Sequence, residues 1–398
     1  MKIIYVVNTY FPDVNGGAPR SVQMLAEAMH SDGHEVVVVR LSPNKNIEIY
    51  EHEGVKVYSI PVRNLYFPRE EIIPSKWKRL CWHIIDSFNP YAAYDFYKIM
   101  KTEKPDVVNT NTIAGFSTSI FYVSKWMGAK LVHTMRDYYL MSPQSGMYEN
   151  GQNCETIPLA SKPFAFIRRF AAKNVDLFLG NSQFVVDRHK KLGCIGRNAL
   201  CYNQWNTNGD DEIAAERQLK HQGHIKFGFI GRINELKGVD VLIEACNRLT
   251  ESNWSLVVAG SGEPLFVNQL KENCPENKVE FLNWVKPNDF YEQIDVLVCP
   301  STYHDPLPRV VYEAYKYGIP VIAAATGGTP EMVDDGNTGY LYSAKDSIAL
   351  AVIMSEICSI SKDEYLRLSQ NTLKMAEKFT KTTILKSYKK RIAEALEL

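Results

Sequence analysis

The sequence predicts an α/β protein built from two doubly wound domains, each with a mostly parallel sheet covered by helices on both faces. Short runs rich in β-branched residues alternate with amphipathic helical stretches along the chain. This strand–loop–helix rhythm restarts near residue 225, and the 398 residues exceed the usual size of a single domain. Because parallel strands need a crossover helix between them, the alternation favours parallel over antiparallel sheets.

In the first half, a helix is predicted over residues 17–31, because apolar side chains recur there every three or four positions and Gly33 follows its end. The predicted strands of this half are residues 2–8, 34–41, 55–60, 106–111, 129–135 and 175–182.

In the second half, a long helical stretch is predicted over residues 346–378 after the last strand. The predicted strands are residues 225–231, 254–260, 279–284, 296–301, 320–326 and 339–343.

The join between the domains is predicted in the polar, aperiodic segment 203–224. The domains are then residues 1–204 and 205–379, with a C-terminal helix at about 380–398 packing back on the first domain. Since ligands of open α/β sheets bind beyond the carboxyl ends of the strands, we expect a site in a cleft between the two facing domains.

The composition is that of a globular protein, with 45% hydrophobic and 23% charged residues. Lys plus Arg and Asp plus Glu both number 45, so no nucleic-acid partner is expected. The eight cysteines show no C-x-x-C spacing, which argues against a zinc site or a disulfide framework. Without a signal core at the N-terminus or an apolar stretch of about 20 residues, the expected location is the cytoplasm.

Two cations follow the first strand of the second domain. Arg232 and Lys237 lie in the loop between a strand ending at Gly231 and the next helix. A guanidinium binds phosphate oxygens in a bidentate manner, and an ammonium adds a point charge. This pair predicts a diphosphate site that needs no metal ion; the alternative is a surface loop with incidental charges.

Two acids flank the start of a later helix, eight positions apart at Asp305 and Glu313. The amides of Arg309 and Val310 are expected to be free phosphate donors at the positive helix terminus. Glu313, about one turn further in, is placed for ribose hydroxyls, and Asp305 for hydroxyls of a transferred sugar. Alternatively, Asp305 caps the helix and Glu313 lies on the surface.

Two glycine pairs mark tight turns after strands. Residues 327–331 (GGTPE) predict a turn that contacts the sugar or the nucleotide, the alternative being a plain turn. Gly16 and Gly17, after Asn15, let the backbone approach an anion closely. The chain has no convincing dinucleotide fingerprint, metal-binding D-x-D at a strand end, phosphate-binding P-loop or nucleophile elbow, so these chemistries are not expected.

The loop Arg136-Asp137-Tyr138-Tyr139 follows a first-domain strand. Either Arg136 contacts the donor sugar or the acceptor, with Asp137 orienting a neighbour, or the two form an internal ion pair. His133, inside the strand, is predicted to be a hydrogen-bonded core residue. His304 is predicted to lie at the rim of the site rather than to bind a metal.

A basic and aromatic segment, residues 76–85, follows Arg63, Tyr66, Phe67 and Arg69. One interpretation is a helix that lies on a membrane surface or meets a lipid-linked acceptor. The other is an ordinary amphipathic helix with a solvated basic face. Both remain open from the sequence.

These motifs together resemble glycosyltransferase family 4, the retaining transferases with the GT-B fold of two Rossmann-like domains. The likeness extends over nearly the whole chain and is strongest at residues 228–343. The matching motifs are G-R-x4-K-G at 231–238, E-x7-E at Asp305 and Glu313, G-G-x-P-E at 327–331, and the glycine pair Gly16-Gly17. Two positions depart from the family: Asp305 replaces a Glu, and Arg136 stands where many members have the His of a His-Asp pair.

The resemblance implies donor-binding roles for the same residues. Those roles are the diphosphate for Arg232 and Lys237, the ribose for Glu313, the sugar for Asp305 and residues 327–329, and the phosphate for Gly17. In retaining enzymes of this kind the acceptor hydroxyl attacks from the side of the leaving group, so the protein supplies positioning and charge stabilisation rather than a general base.

We therefore expect transfer of a hexose, with retention, from a nucleoside diphosphate to a hydroxyl of a saccharide or lipid-linked glycan in envelope polysaccharide synthesis. UDP is preferred to GDP, and no cofactor or metal is expected. Association with the inner face of the cell membrane stays open. The rival functions are a GT-B epimerase or phosphorylase, and a catalytically degenerate transferase that serves as a binding subunit.

Overall fold

The computed structural model describes residues 1–14, 16–67, 74–197, 199–219 and 223–397. The chain divides into two compact units, of which the first combines Met1–Gly209 with Lys381–Leu398 and the second is Asp210–Thr380. The predicted boundary after residue 204 lies five residues before this division (209 − 204). Asn15, Arg69 and residues 220–222 of the predicted join lie outside the described residues.

The first unit contains ten strands and six helices before the chain enters the second unit, counted over the described residues. The strands are β1 (Lys2–Val6), β2 (Glu35–Ser42), β3 (Glu48–His52), β4 (Val55–Pro61), β5 (Val107–Thr110), β6 (Lys130–Met135), β7 (Tyr148–Glu149), β8 (Gln152–Asn153), β9 (Leu177–Gly180) and β10 (Cys201–Asn203). The helices are α1 (Gly17–Ser31), α2 (Lys76–Ser87), α3 (Pro90–Glu103), α4 (Ser119–Trp126), α5 (Lys162–Ala172) and α6 (Gln183–Lys191).

Eight of these strands form one sheet in the order β10-β9-β6-β5-β1-β2-β4-β3. All neighbours are parallel except β3, which runs antiparallel to β4 at the edge. Side chains of β1 alternate between two cores, as a strand requires: Ile3 and Tyr5 pack with α1, whereas Ile4 and Val6 pack with α3 and α4. Both faces are therefore covered by helices, as the sequence predicts.

The second unit contains six strands and six helices within its described residues. The strands are β11 (Ile225–Ile230), β12 (Trp254–Ala259), β13 (Val279–Leu282), β14 (Val296–Cys299), β15 (Val321–Ala324) and β16 (Gly339–Tyr342). The helices are α7 (Val239–Cys246), α8 (Pro264–Glu272), α9 (Pro287–Gln293), α10 (Arg309–Lys316), α11 (Ser347–Cys358) and α12 (Lys362–Ala376).

The strands of the second unit are all parallel and lie in the order β13-β12-β11-β14-β15-β16. This is the doubly wound order 3-2-1-4-5-6, whose direction reverses between β11 and β14. The predicted helical stretch 346–378 is interrupted, because the hydroxyl of Ser361 accepts a hydrogen bond from the Glu364 amide at 3.2 Å and starts α12.

The last helix, α13 (Lys381–Leu396), belongs to the first unit. Leu385, Tyr388 and Ile392 join the core formed by β1 and α1. The Tyr388 hydroxyl accepts a hydrogen bond from the Asn109 side-chain amide at 2.7 Å. Across the described residues no helix combines the length and the apolarity that a bilayer crossing requires.

His133 lies in β6 and is buried, as predicted. Its Nδ1 is 2.9 Å from the Thr110 hydroxyl, and the rings of Phe121 and Phe178 pack against it. Burial, with a smaller contribution from the charge of His189, lowers the pKa of His133 to about 3. The folded protein therefore keeps this imidazole neutral under mildly acidic conditions.

Replacing His133 with Asn is expected to reduce the acid sensitivity of the first unit. An unfolded histidine takes up its proton near pH 6.5, whereas folded His133 does so near pH 3, so the unfolded state binds more protons between these values. Stability present at neutral pH is therefore lost as the pH falls, by about 1 kcal/mol per such histidine from pH 6.5 to pH 5.5. Urea unfolding of the parent and the variant at both pH values measures how much stability each loses. An equal loss in the two proteins would contradict the low pKa assigned to His133.

Candidate active site

The predicted donor-binding residues of the second unit converge at the carboxyl edge of its sheet. Three adjacent strands, β11, β14 and β15, are followed by the loops that carry Arg232 and Lys237, Asp305, and the turn at residues 327–328. Because carboxyl ends of parallel strands meet at one edge, residues almost 100 positions apart in sequence become neighbours.

Lys237 and Asp305 form an ion pair at the centre of this edge. The Lys237 ammonium lies 2.5 Å from a carboxylate oxygen of Asp305 and 5.2 Å from the ring centroid of Tyr303. Burial by itself lowers the pKa of Lys237, but the charge of Asp305 and the Tyr303 hydroxyl outweigh that effect and raise the pKa above its ordinary value. The site therefore holds a permanent cation.

The turn after β15 rests on the backbone of Asp305. The Gly328 amide donates to the Asp305 carbonyl at 2.9 Å. Any side chain at position 327 would collide with the same oxygen, because its Cβ would lie only 2.1 Å away. His304 Nδ1 lies 2.7 Å from the Thr326 hydroxyl. This hydrogen bond also links the loop after β14 to the turn after β15. The hydroxyl of Thr329 is buried and has no hydrogen-bond partner among the described residues.

The loop after β11 is held against the loop after β14 by a second close contact. Gly238 has φ +69°, and a Cβ there would lie 2.0 Å from the Pro300 carbonyl oxygen. The Thr302 hydroxyl donates to the Glu235 carbonyl at 2.8 Å. These contacts fix the distance between the strand ends and hence the position of Lys237.

The glycines after β12 complete this edge, and the sequence analysis assigned them no role. The Ile233 amide donates to the Ser261 carbonyl at 2.8 Å. A Cβ at Gly260 would lie 1.8 Å from the Gly231 carbonyl oxygen. The signal that identifies them is the Gly-Ser-Gly run directly after a buried strand, at 260–262.

Glu313 lies one turn inside α10 and has two partners. The Arg309 guanidinium donates to its Oε1 at 2.7 Å, and the Tyr291 hydroxyl donates to its Oε2 at 3.1 Å. Tyr291 is 22 residues away, so the sequence alone does not identify it. The helix begins at Arg309 without a side-chain cap, and Val310 lies in its first turn. The structure thus orients the Glu313 carboxylate while leaving it partly exposed.

Arg232 differs from the other predicted residues because its side chain is exposed. Within the described part of the chain its guanidinium makes no hydrogen bond or ion pair. An exposed guanidinium in the same loop as Lys237 is available to an anionic ligand. Over the described residues, no group of three His, Cys, Asp or Glu side chains is arranged to hold a metal ion.

The remaining predicted site residues lie in the first unit. Gly16 has φ +102° and precedes α1, which begins at Gly17 without a side-chain cap. Arg136 is only 8% exposed and donates from Nε to the Asn111 side-chain oxygen at 2.8 Å and from Nη1 to the Asn206 side-chain oxygen. The donor-binding roles of Gly16, Gly17 and Arg136 remain predictions.

Asp137, next to Arg136, sits in a second polar cluster. Burial raises the pKa of Asp137 to about 6, against the smaller opposing effects of the Tyr139 amide and the Arg168 charge. The Tyr139 hydroxyl donates to Asp86 at 2.7 Å. The loop after β6 is therefore tied to α2 and α5 through buried polar side chains.

Comparison with known proteins agrees with this architecture. The model of Glycosyltransferase Family 4 matches residues 15–203, and that of Glycosyl transferases group 1 matches residues 210–375. An uncharacterised 42.6 kDa protein in the cps region of Klebsiella pneumoniae is 31% identical over 83% of this chain and 87% of its own. An uncharacterised glycosyltransferase of Methanocaldococcus jannaschii is 26% identical over 88% of both chains.

Among solved structures, the Anabaena protein HepE in complex with UDP has a TM-score of 0.74 and 19% identity, with 99% of this chain and 100% of that chain covered. The chain belongs to the group 1 glycosyltransferases, with a first half of the family 4 type. It is a glycosyltransferase with the GT-B fold, which confirms the resemblance inferred from its motifs.

Replacing Asp305 with Ala is expected to destabilise the second unit, because the Lys237 ammonium loses its partner. Lys237 keeps 29% of its side chain exposed, so the cost should be about 1–3 kcal/mol, below that of a fully buried pair. Adding Lys237→Met to the Asp305→Ala variant should restore at least half of the lost unfolding free energy, as measured by urea unfolding, since no unpaired charge then remains. A double variant as unstable as the sum of the single variants would contradict the coupling.

Proposed function

We propose that this transferase moves a hexose from a nucleoside diphosphate sugar, UDP in preference to GDP, to an acceptor hydroxyl with retention of configuration. The observation that carries the proposal is the Lys237–Asp305 pair at the strand ends of the second unit, with exposed Arg232 in the same loop as Lys237. The complexes of HepE with UDP and with UDP-glucose support the choice of nucleotide.

In this proposal Arg232 and Lys237 bind the diphosphate. Two cations offset the charge that develops on the departing nucleoside diphosphate, which a metal ion does in other transferases. The uncapped first turn of α10, at Arg309 and Val310, adds backbone amides and the positive end of a helix dipole. Metal-independent catalysis is accordingly part of the proposal.

Asp305 and Glu313 bind hydroxyl groups in this proposal. Glu313 is oriented by Arg309 and Tyr291 and accepts hydrogen bonds from the two ribose hydroxyls. The turn at 327–328 lies against the backbone of Asp305. In this proposal Asp305, this turn and Thr329 contact the transferred sugar. Since Asp305 already pairs with Lys237, the diphosphate and sugar positions share one charged cluster.

The transfer step needs no general base from the protein. The bond from the anomeric carbon to the departing phosphate oxygen breaks, and a bond to the acceptor oxygen forms on the same face of the sugar. The acceptor proton passes to the departing phosphate oxygen, which gains the electron pair of the broken bond. Positioning and electrostatic stabilisation then account for catalysis.

The acceptor is proposed to be a saccharide or lipid-linked glycan of an envelope polysaccharide, with the enzyme working in the cytoplasm. The location of the Klebsiella relative in a cps region supports a polysaccharide pathway. WaaB, described as a lipopolysaccharide outer core galactosyltransferase, has the same fold, with a TM-score of 0.66.

Replacing Arg232 with Ala is expected to lower kcat/KM about 100- to 1,000-fold, a loss comparable to removing one oxyanion donor. Arg248→Ala serves as a matched control, because Arg248 is exposed in the same unit and pairs only with Glu244 in the described structure. The assay follows UDP release from UDP-glucose with and without acceptor saccharides. Activity of the Arg232 variant within twofold of the parent would refute the diphosphate site, and turnover of intact donor into an epimer would favour the rival epimerase.

Replacing Glu313 with Gln is expected to weaken UDP binding about tenfold, since charge-assisted hydrogen bonds to the ribose are lost. Calorimetry with UDP and with 2′,3′-dideoxy-UDP separates this role from a structural one. The loss should disappear for the dideoxy nucleotide, which has no ribose hydroxyls to bind. An equal loss for both nucleotides would assign Glu313 to holding α10 rather than to the ligand.

A further inference from the structure

Helix α2 exposes the residues that an amphipathic helix ordinarily buries. Trp77 is 76% exposed, and Leu80 and Ile84 follow it at spacings of three and four on the same side. Trp82 faces inward instead, and its indole N–H donates to the Tyr66 carbonyl at 3.0 Å. The inner face of α2 thus packs on the rest of the first unit. Among the described residues, none covers the apolar stripe on its outer face.

Helix α5 presents a second apolar stripe. Phe166 is 60% exposed, and Ile167 and Phe170 lie beside it within one turn. The rings of Phe166 and Phe170 contact each other edge to face, with centroids 4.9 Å apart. Leu159, just before the helix, is also exposed.

Helices α2 and α5 pack against each other, and each carries an exposed apolar stripe. His83 of α2 packs its ring against that of Phe164 of α5, with centroids 6.3 Å apart. Asp86 of α2 lies 3.8 Å from Arg168 of α5, and both side chains are fully buried. We name the exposed side of α2 and α5 the basic–aromatic face.

Within α2 and α5, every exposed charged side chain of the basic–aromatic face is a cation. Asp86 is the only acid within the two helices, and it is buried against Arg168. The exposed cations of the face, including one residue just beyond α5, are Lys76, Lys78, Arg79, Lys162, Arg169 and Lys173. Because the whole chain carries equal numbers of acids and bases, this local excess is a property of the face and not of the composition.

Exposed apolar side chains flanked by cations match the chemistry of an anionic bilayer surface. Aromatic and aliphatic side chains flanked by Lys and Arg insert at the headgroup level, where the stems stay apolar and the charges meet phosphate. A second copy of this chain packed symmetrically on the face would bring like charges together. Nucleic acid would satisfy the charges but leave Leu80, Ile84 and Phe166 without apolar contacts.

We propose that the basic–aromatic face is a membrane-docking surface for anionic phospholipid bilayers. Of the two interpretations of residues 76–85, the exposed apolar stripe favours the helix on a membrane surface, since an ordinary amphipathic helix buries its apolar side chains. The inference stands on the exposed residues alone and does not depend on the donor or acceptor of the transfer reaction.

The test is co-sedimentation of the full chain with vesicles of phosphatidylcholine alone or with about 30% phosphatidylglycerol. Binding is expected with the anionic vesicles at about 50 mM salt, and it should weaken at about 500 mM salt because screening shortens the reach of the charges. Replacing Lys76, Lys78 and Arg79 with Ala should lower the partition coefficient about 100-fold, or about fivefold per charge. Trp77→Ala should lower it about tenfold.

Matched controls lie in the second unit. Trp284 is as exposed as Trp77, and Trp284→Ala should leave binding unchanged. A triple Ala variant of exposed Lys362, Lys374 and Lys378 removes the same charge from another surface. No binding of the parent to anionic vesicles, or equal losses in the control variants, would overturn the proposal. A concentration-dependent dimer that Trp77→Ala abolishes without lipid would instead assign the face to a second copy.

Discussion

The loops of the candidate site in the second unit approach one another too closely for any side chain to stand between them. A Cβ at Gly238 would lie 2.0 Å from the Pro300 carbonyl oxygen, and one at Gly327 would lie 2.1 Å from that of Asp305. Both glycines have positive φ, at +69° and +60°, so a side chain is disfavoured even before it collides. The Lys237–Asp305 pair sits between these contacts, and its geometry follows from how closely the loops approach.

Much of the fold follows from local sequence patterns. Buried parallel strands need apolar side chains on both faces, and the run of valines in β2, residues 36–39, is an example. Strand β3 was not predicted, because it lies at the sheet edge and its side chains are mostly exposed. Strands β7, β8 and β10, of two or three residues each, are too short to show a period.

For the candidate site, too, the sequence predicts some features and not others. Its residue types and loops can be predicted, because glycines, cations and acids recur directly after strands. Its pairings cannot, since Lys237 and Asp305 are 68 residues apart, and Arg136 and Asn206 are 70 apart. The same limit applies to α2, where the period of Trp77, Leu80 and Ile84 is visible in the sequence but its outward direction depends on which face packs on the protein.

The return of α13 to the first unit has a consequence for biosynthesis. Tyr388, Ile392 and Ala395 fill the core that Ile3 and Tyr5 line, so that core stays incomplete until Ala395 has left the ribosome. The second unit is continuous in sequence and has all its residues available earlier. The half that is translated first is therefore completed last, since the helix that closes its core follows the whole second unit in sequence.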